Sequence, residues 1–421
     1  MINKSSSYQF TKLSTSESKY YIILFILWPF LAFVTALINY SQREAKKVVF
    51  FFLVYFGLTV VLNLNDYVDA VGYALQLREN AALPFSDFFK IIGGLYSSDT
   101  SVDIVEPLIS FIVSRFTDDY RFLFAAYAAF FGYFYLKSIN LLHNRHQKNP
   151  GWDAAIHLAF FTIVLPITAI NGFRMWTAAW IFFYGAYHVI LFRDARYLIL
   201  TLGASLVHWS FISANVILII YYLFGNRNQI YFPILLSSFI VPRFITPLLN
   251  TISMRLGGAL QTRYESYASE DYIMTRQGSM QEASWFLKIG SDLVFFYLII
   301  VMVYVYYRSR RMPEDRFERN LFSFLLLFLS FVNFGMGIPS FGSRFQILFF
   351  LFASIYIFLY YNKLPGNKIS LLTLIGLFPM LLYGVVEFRQ VSVMINAWIV
   401  TPGLGLPLVV PGLSMADLLF P

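Results

Sequence analysis

A small set of residues in this chain pairs a reactive side chain with a setting where its charge is costly. Arg174 stands in the run Asn171-Gly172-Phe173-Arg174-Met175-Trp176, at a break between two apolar stretches. His208 lies inside an apolar stretch, followed by Trp209 and Ser210. Arg243 is near the end of another, and Arg344 follows Gly342-Ser343 at a second break. Asp66 and Asp69 border the second apolar stretch, and Glu106-Pro107 opens a further one. Imidazole and carboxylate side chains transfer protons and orient hydroxyls. Guanidinium forks match phosphate and diphosphate oxygens two at a time. The chemistry on offer is proton transfer beside an anionic group held by arginines.

Each of these residues also has a plain structural reading. An arginine at a helix end reaches for headgroups, Asp66 and Asp69 can cap a helix, and His208 can bond a neighbouring helix. Glu106 before Pro107 suits a helix start. His143, His146, His157 and His188 fall in or near loops on the other side and read as structural. The chain has no Gly-rich phosphate loop, no HExxH, no GxSxG and no convincing metal-ligand pair. With no cysteine, disulfides, thiolate catalysis and Cys-ligated metals are excluded.

The elements that must position these residues are transmembrane helices. Of 421 residues, 58% are hydrophobic and only 13% charged, where soluble domains carry roughly 25% charged residues. Such a chain cannot cover its surface in water, so its solvent is lipid. The 47 Phe and 29 Tyr read as lipid-facing and interfacial packing with no cofactor implied. Positive-inside anchoring accounts for most of the +8 charge without a nucleic-acid partner. The apolar run from Tyr20 is not followed by a small-residue cleavage site and does not read as a cleaved signal peptide.

A span needs about 20 mostly apolar residues. Candidates lie at 20–40, 48–64, 120–139, 153–170, 173–192, 197–212, 213–225, 230–248, 289–307, 320–337, 345–361 and 369–387. The expected fold is a single all-α transmembrane domain over 1–421, with about twelve helices and interfacial helices in its outer loops. The stretch 197–225 is too long for one upright helix and short for two, which predicts a break near His208–Ser213. Two polar segments, 65–119 and 249–288, and an outer C-terminal tail over about 388–421, Pro/Gly-rich from Thr401, stand apart from the spans.

Every second loop is basic: Arg43, Lys46 and Lys47; Arg145 and Lys148; Arg193 and Arg196; Arg227; Arg308 to Arg319; Lys363 and Lys368. These loops are expected in the cytoplasm. The segment 65–119, where acids outnumber Arg78, Lys90 and Arg115, then faces out. On this count both termini lie outside, although Lys4, Lys12 and Lys19 oppose that for the N-terminus. Arg174, His208, Arg243, Arg344, Asp66, Asp69 and Glu106 come from distant parts of the chain, yet all fall on the outer side.

With these residues in place, the chain resembles the Wzy/EpsG-type bacterial polysaccharide polymerases over roughly residues 45–350. The outer Asp-x-x-x-Tyr-like patch of that family matches Asn65-Asp66-Tyr67-Val68-Asp69-Ala70-Val71-Gly72-Tyr73. Its Glu-led segment matches Glu106-Pro107, and its Arg-led span matches Asn171-Gly172-Phe173-Arg174 with Ala178-Ala179. Its intramembrane His-x-Ser matches His208-Trp209-Ser210, and its late arginine matches Gly342-Ser343-Arg344. The chain departs where the family often has Arg before the Asp (Leu62-Asn63-Leu64) and Gln after the hinge Arg (Met175-Trp176).

The resemblance implies a glycosyltransferase in the bacterial inner membrane. It would move a glycan from undecaprenyl diphosphate to the sugar of an incoming lipid-linked unit, on the extracytoplasmic face. Arg174 and Arg344 would hold the diphosphate, and His208 or Asp66 would be the base. Asp69, Tyr73, Glu106, Asn171, Ser210 and Arg243 would contact substrate. No metal is required by these residues, though a diphosphate carrier can bring Mg²⁺. Membrane lipids and a chain-length regulator protein are the further expected partners. The rival classes are a lipid-linked oligosaccharide flippase or transporter, a glycan ligase, and an acyltransferase built on one His. Transporters usually show repeats and midplane polar groups, whereas no repeat is visible here.

Overall fold

The computed structural model describes residues 15–63, 68–87, 103–145, 151–240, 285–309, 315–364, 368–410 and 412–419. Among them there is no β-strand, and every expected span carries helix. The helices are α1 (Thr15–Leu27), α2 (Pro29–Ile38), α3 (Arg43–Leu58), α4 (Asp69–Ala82), α5 (Val105–Ser114), α6 (Tyr120–His143) and α7 (Trp152–Val164). They continue with α8 (Phe173–Phe192), α9 (Arg196–Val207), α10 (Phe211–Phe224), α11 (Asn228–Ile240) and α12 (Trp285–Ser309). Last come α13 (Arg316–Gly335), α14 (Pro339–Tyr361), α15 (Leu371–Val391) and two short C-terminal helices. Six stretches among the described residues are long and apolar enough to cross a membrane: 120–143, 152–192, 289–309, 316–335, 340–361 and 371–394. The other apolar segments form shorter helices, so the lengths do not establish twelve separate crossings.

Three stretches fold back on themselves. The first is the segment expected as one span over 20–40. Trp28 is extended (φ −154°, ψ 88°), and Pro29 opens a new helix where its missing N–H costs nothing. A straight helix from Tyr21 to Ile38 would run about 25 Å, yet the Tyr21 hydroxyl donates to Gln42 Oε1 at 3.3 Å. α1 and α2 therefore form a hairpin whose legs, about 20 and 15 Å long, fall short of a roughly 30 Å hydrocarbon core. The Tyr21 end of α1 thus comes back to Gln42, next to the first basic loop. The expectation that the N-terminus lies outside falls on residues 1–14, which are outside the described residues.

The second is 152–192, which turns at Pro166 and a 3-10 segment, Ile167–Gly172. The rings of Phe161 and Phe183 meet at 5.4 Å, which no straight helix allows. The third is 197–225. Asn215 Nδ2 donates to the Thr201 carbonyl at 2.8 Å and to Ser205 Oγ at 3.1 Å, so α9 and α10 run antiparallel about a tip at His208–Ser210. The expected break is there. It makes a re-entrant hairpin.

The basic loops gather at one end. Ser41 meets His143 (3.3 Å), Asn362 donates to the Arg145 carbonyl (2.9 Å), and Lys363 pairs with Asp315 (2.5 Å) and Glu318 (2.6 Å). Asn226 donates to Asn320 (2.8 Å), and Arg193 to the Tyr222 carbonyl (2.6 Å). The residues after α15 cross the other end. Trp28 Nε1 donates to the Val400 carbonyl (2.9 Å), Tyr55 OH to Leu404 (2.9 Å) and Arg121 to Leu408 (2.9 Å).

Between the ends, α3 and α6 touch backbone to backbone. A Cβ at Gly57 would collide with the Phe124 carbonyl and the Ala128 side chain. Small residues allow such crossings in membranes, where packing rather than water drives association. This contact also fixes Tyr127, one helical turn further along α6. Gly57→Val is expected to destabilise the protein by about 1–3 kcal/mol, read as a lower melting temperature in detergent. An unchanged melting temperature would show that the crossing is not tight.

Candidate active site

Four elements bring ionisable groups together at the end opposite the basic loops. Asp103 precedes α5, and its backbone neighbour Ile104 donates to the Leu206 carbonyl at 2.9 Å, fastening α5 to the end of α9. His208 is the tip residue of the re-entrant hairpin, extended at φ −149°, ψ 114°. Twelve residues from Arg196, it stands about 18 Å along α9 from the basic end. Arg174 occupies the first turn of α8. Tyr73 lies on α4, next to Tyr127 on α6, with ring centroids 5.6 Å apart.

The contacts centre on the Asp103 carboxylate. Oδ2 faces His208 Nδ1 at 3.1 Å and Arg174 Nη1 at 3.3 Å, and Oδ1 accepts from the Trp209 N–H at 2.9 Å. Burial pushes this carboxyl up. The His208 bond, the charges of His208 and Arg174 and the Trp209 N–H outweigh that and hold it below the usual carboxylate range. Asp103 is therefore an anion in a nearly dry place. Its side chain is 3% exposed and that of Arg174 is 29% exposed, so the guanidinium, not the carboxylate, is the accessible charge of the pair.

Arg174 Nε donates to the Tyr73 hydroxyl at 3.1 Å, and its guanidinium stands over the Tyr73 ring, 5.5 Å from the centroid. Burial pushes the Tyr73 phenol up to about 12, so it keeps its own proton to donate. The Tyr127 hydroxyl donates to Glu106 Oε1 at 2.7 Å, and the Tyr127 ring stacks on Phe173 at 3.9 Å. Burial raises the Glu106 carboxyl despite the Tyr127 bond and the nearby Arg174 charge. Two carboxyls thus sit near one arginine with opposite tendencies, Asp103 ionised and Glu106 pushed toward its acid form.

Of the residues expected here, Arg174, His208, Tyr73 and Glu106 join this group, and Asp69 is close enough to act electrostatically on Tyr73. Asn171 accepts from the Gly172 N–H at 2.7 Å within the 3-10 turn, and a side chain at Gly172 would run into Trp176. Ser210 Oγ approaches Met175 Sδ at 4.0 Å, next to Arg174. Arg344 is not at the hinge itself. The break falls at Met336–Ile338, and Arg344 is in the second turn of α14. Its neighbour Phe345 meets Phe211, just past the hairpin tip, with ring centroids 5.4 Å apart. Asp66 and Arg243 lie outside the described residues.

Asp103 and Tyr127 were missed as site residues. Asp103 is 105 positions from His208, so no local spacing links them. One signal was present. Asp103 sits between Val102 and Ile104, the only acid of the 65–119 segment flanked on both sides by β-branched apolar residues.

A family model described as the EpsG family matches residues 82–399. The match takes in Asp103, Glu106, Tyr127, Arg174, His208 and Arg344 and begins after the Asp66–Tyr73 patch. No curated protein and no solved structure matches the chain. The chain belongs to the EpsG family, as a multi-pass membrane protein.

Proposed function

We propose that this EpsG-family member is a polysaccharide polymerase that joins undecaprenyl-diphosphate-linked oligosaccharide units. The observation that carries the proposal is the convergence of Asp103, Arg174 and His208, from three distant segments, at the end away from the basic loops. Family membership supports the class of reaction. The residues support the roles.

In the reaction, a hydroxyl of the incoming unit attacks the anomeric carbon of the growing glycan. The new C–O bond forms as the bond from that carbon to the diphosphate oxygen breaks. The hydroxyl proton passes to His208, and undecaprenyl diphosphate leaves with the bonding pair. Arg174 has Nε and Nη1 engaged, which presents Nη2 to the leaving diphosphate. Positioned cations are most effective where charge develops in a poorly hydrated site. The N-terminal end of α8 adds partial positive charge in the same place. Arg344 is the second cation of the scheme, and Arg243 and Ser210 are assigned to substrate contact. Tyr73, Asp69, Asn171 and Glu106 hold sugar hydroxyls. Asp66 is the alternative base.

The active end faces out of the cytoplasm, in the bacterial inner membrane, because the opposite end carries the lysines and arginines. The Cys-free chain makes this testable. A membrane-impermeant maleimide should label Asp118→Cys in intact cells and Arg196→Cys only after lysis. The reverse pattern would invert the orientation.

The class is tested by deletion. Cells lacking the protein should accumulate single lipid-linked units that an added glycosidase can reach from outside. Units that stay shielded until lysis would point to a flippase.

A further inference from the structure

We propose that Asp103 is the positioning residue of His208, fixing the imidazole with Nδ1 protonated so that Nε2 is the atom that takes the acceptor proton. This rests on the polymerase reading for its chemistry but not for its geometry. Asp103 Oδ2 lies 3.1 Å from His208 Nδ1. A carboxylate is acceptor-only, and Asp103 already receives the Trp209 N–H and the Arg174 guanidinium. Nδ1 must therefore be the donor. In neutral imidazole the other nitrogen then carries the lone pair. The low position of the Asp103 carboxyl, set by those donors against burial, agrees with a standing anion.

The same contacts fix where the imidazole stands. Asp103 binds residue 208 by its side chain and residue 209 by its backbone, so one carboxylate clamps both sides of the hairpin tip. Ile104 N–H to Leu206 O adds a third tie, at 2.9 Å. A side chain at a helix break would otherwise sample several orientations. Among the described residues, the charged and titratable groups facing this pair include Arg174 from α8, Glu106 from α5, and Tyr73 with Asp69 from α4.

Asp103 also holds Arg174, and the two duties predict a split in the kinetics. Asp103→Asn keeps the shape but loses the charge. Its amide can donate to Nδ1, which moves the imidazole proton to Nε2 and disables the base. Arg174, released from its anion, should bind the diphosphate as well or better. We expect kcat to fall about 10²–10⁴-fold, the range of a lost general base, with KM for the lipid-linked donor unchanged or lower. A variant that merely loosens the fold would raise KM.

Two measurements decide the matter. In the His208→Gln background, Asp103→Asn should cost almost nothing further, because residues acting as one unit are not additive. An equal loss in both backgrounds would overturn the proposal. Histidine ¹⁵N spectra of the detergent-solubilised protein, with His208→Gln to assign the signal, should show His208 as the Nδ1–H form and its loss in Asp103→Asn. An Nε2–H signal in the unmodified protein would also overturn it. The spectra need no turnover, so wild-type protein that shows the Nδ1–H form but extends no glycan would refute the polymerase reading and leave the pairing intact.

Discussion

Replacing His208 by glutamine is expected to lower the rate of glycan extension by about 10²–10⁴-fold, the usual contribution of a positioned general base. Glutamine approximates the size of the ring and can still donate to Asp103, so the hairpin tip should hold. The acceptor hydroxyl would have nowhere to send its proton. Extension at the wild-type rate in His208→Gln would transfer the base role to a carboxylate, with Asp66 the first to examine.

Changing Arg174 is expected to be nearly as damaging, for a different reason. Arg174→Gln should reduce extension by about 10²–10³-fold, or about 2.7–4 kcal/mol of transition-state stabilisation. It also leaves Asp103 buried with one fewer donor, which adds a cost in stability. The informative variant is Arg174→Lys. The guanidinium meets the Tyr73 hydroxyl through Nε and Asp103 through Nη1, and in the proposed reaction it would meet the diphosphate through Nη2. An ammonium keeps the charge but cannot reach all three in one plane. Arg174→Lys should therefore stay inserted and folded, yet recover little of the rate. Full activity in Arg174→Lys would mean that charge alone suffices and that the planar contact has no role.

The membrane class was legible because it follows from bulk composition, and the helices fell where the apolar runs lie. The fold-back turns were only partly legible. Hydropathy reports how apolar a segment is, not whether its two halves stand end to end or side by side. Pro29 and Pro166 mark two of the turns, but the third is set by His208, whose backbone leaves the helix to meet Asp103. The 197–225 stretch gave itself away by an awkward length, and 20–40 did not. Arg174, Glu106 and His208 stood out because charge is rare among apolar neighbours. Asp103 was hidden among the acids of a polar segment. Its distinction is the partner it meets, and that partner is supplied by a hairpin 105 residues away.

Chemistry and transport at this end of the bundle are separated by an assay that contains no membrane. Purified protein in detergent, with no membrane and no gradient, is given only lipid-linked oligosaccharide units, and the products are separated by length. Longer glycans should appear together with undecaprenyl diphosphate, one released for each unit added, and both should vanish in His208→Gln and Arg174→Gln. The contradicting result is the absence of any chain extension by the wild-type protein while the same preparation, sealed into vesicles, moves those units across the bilayer.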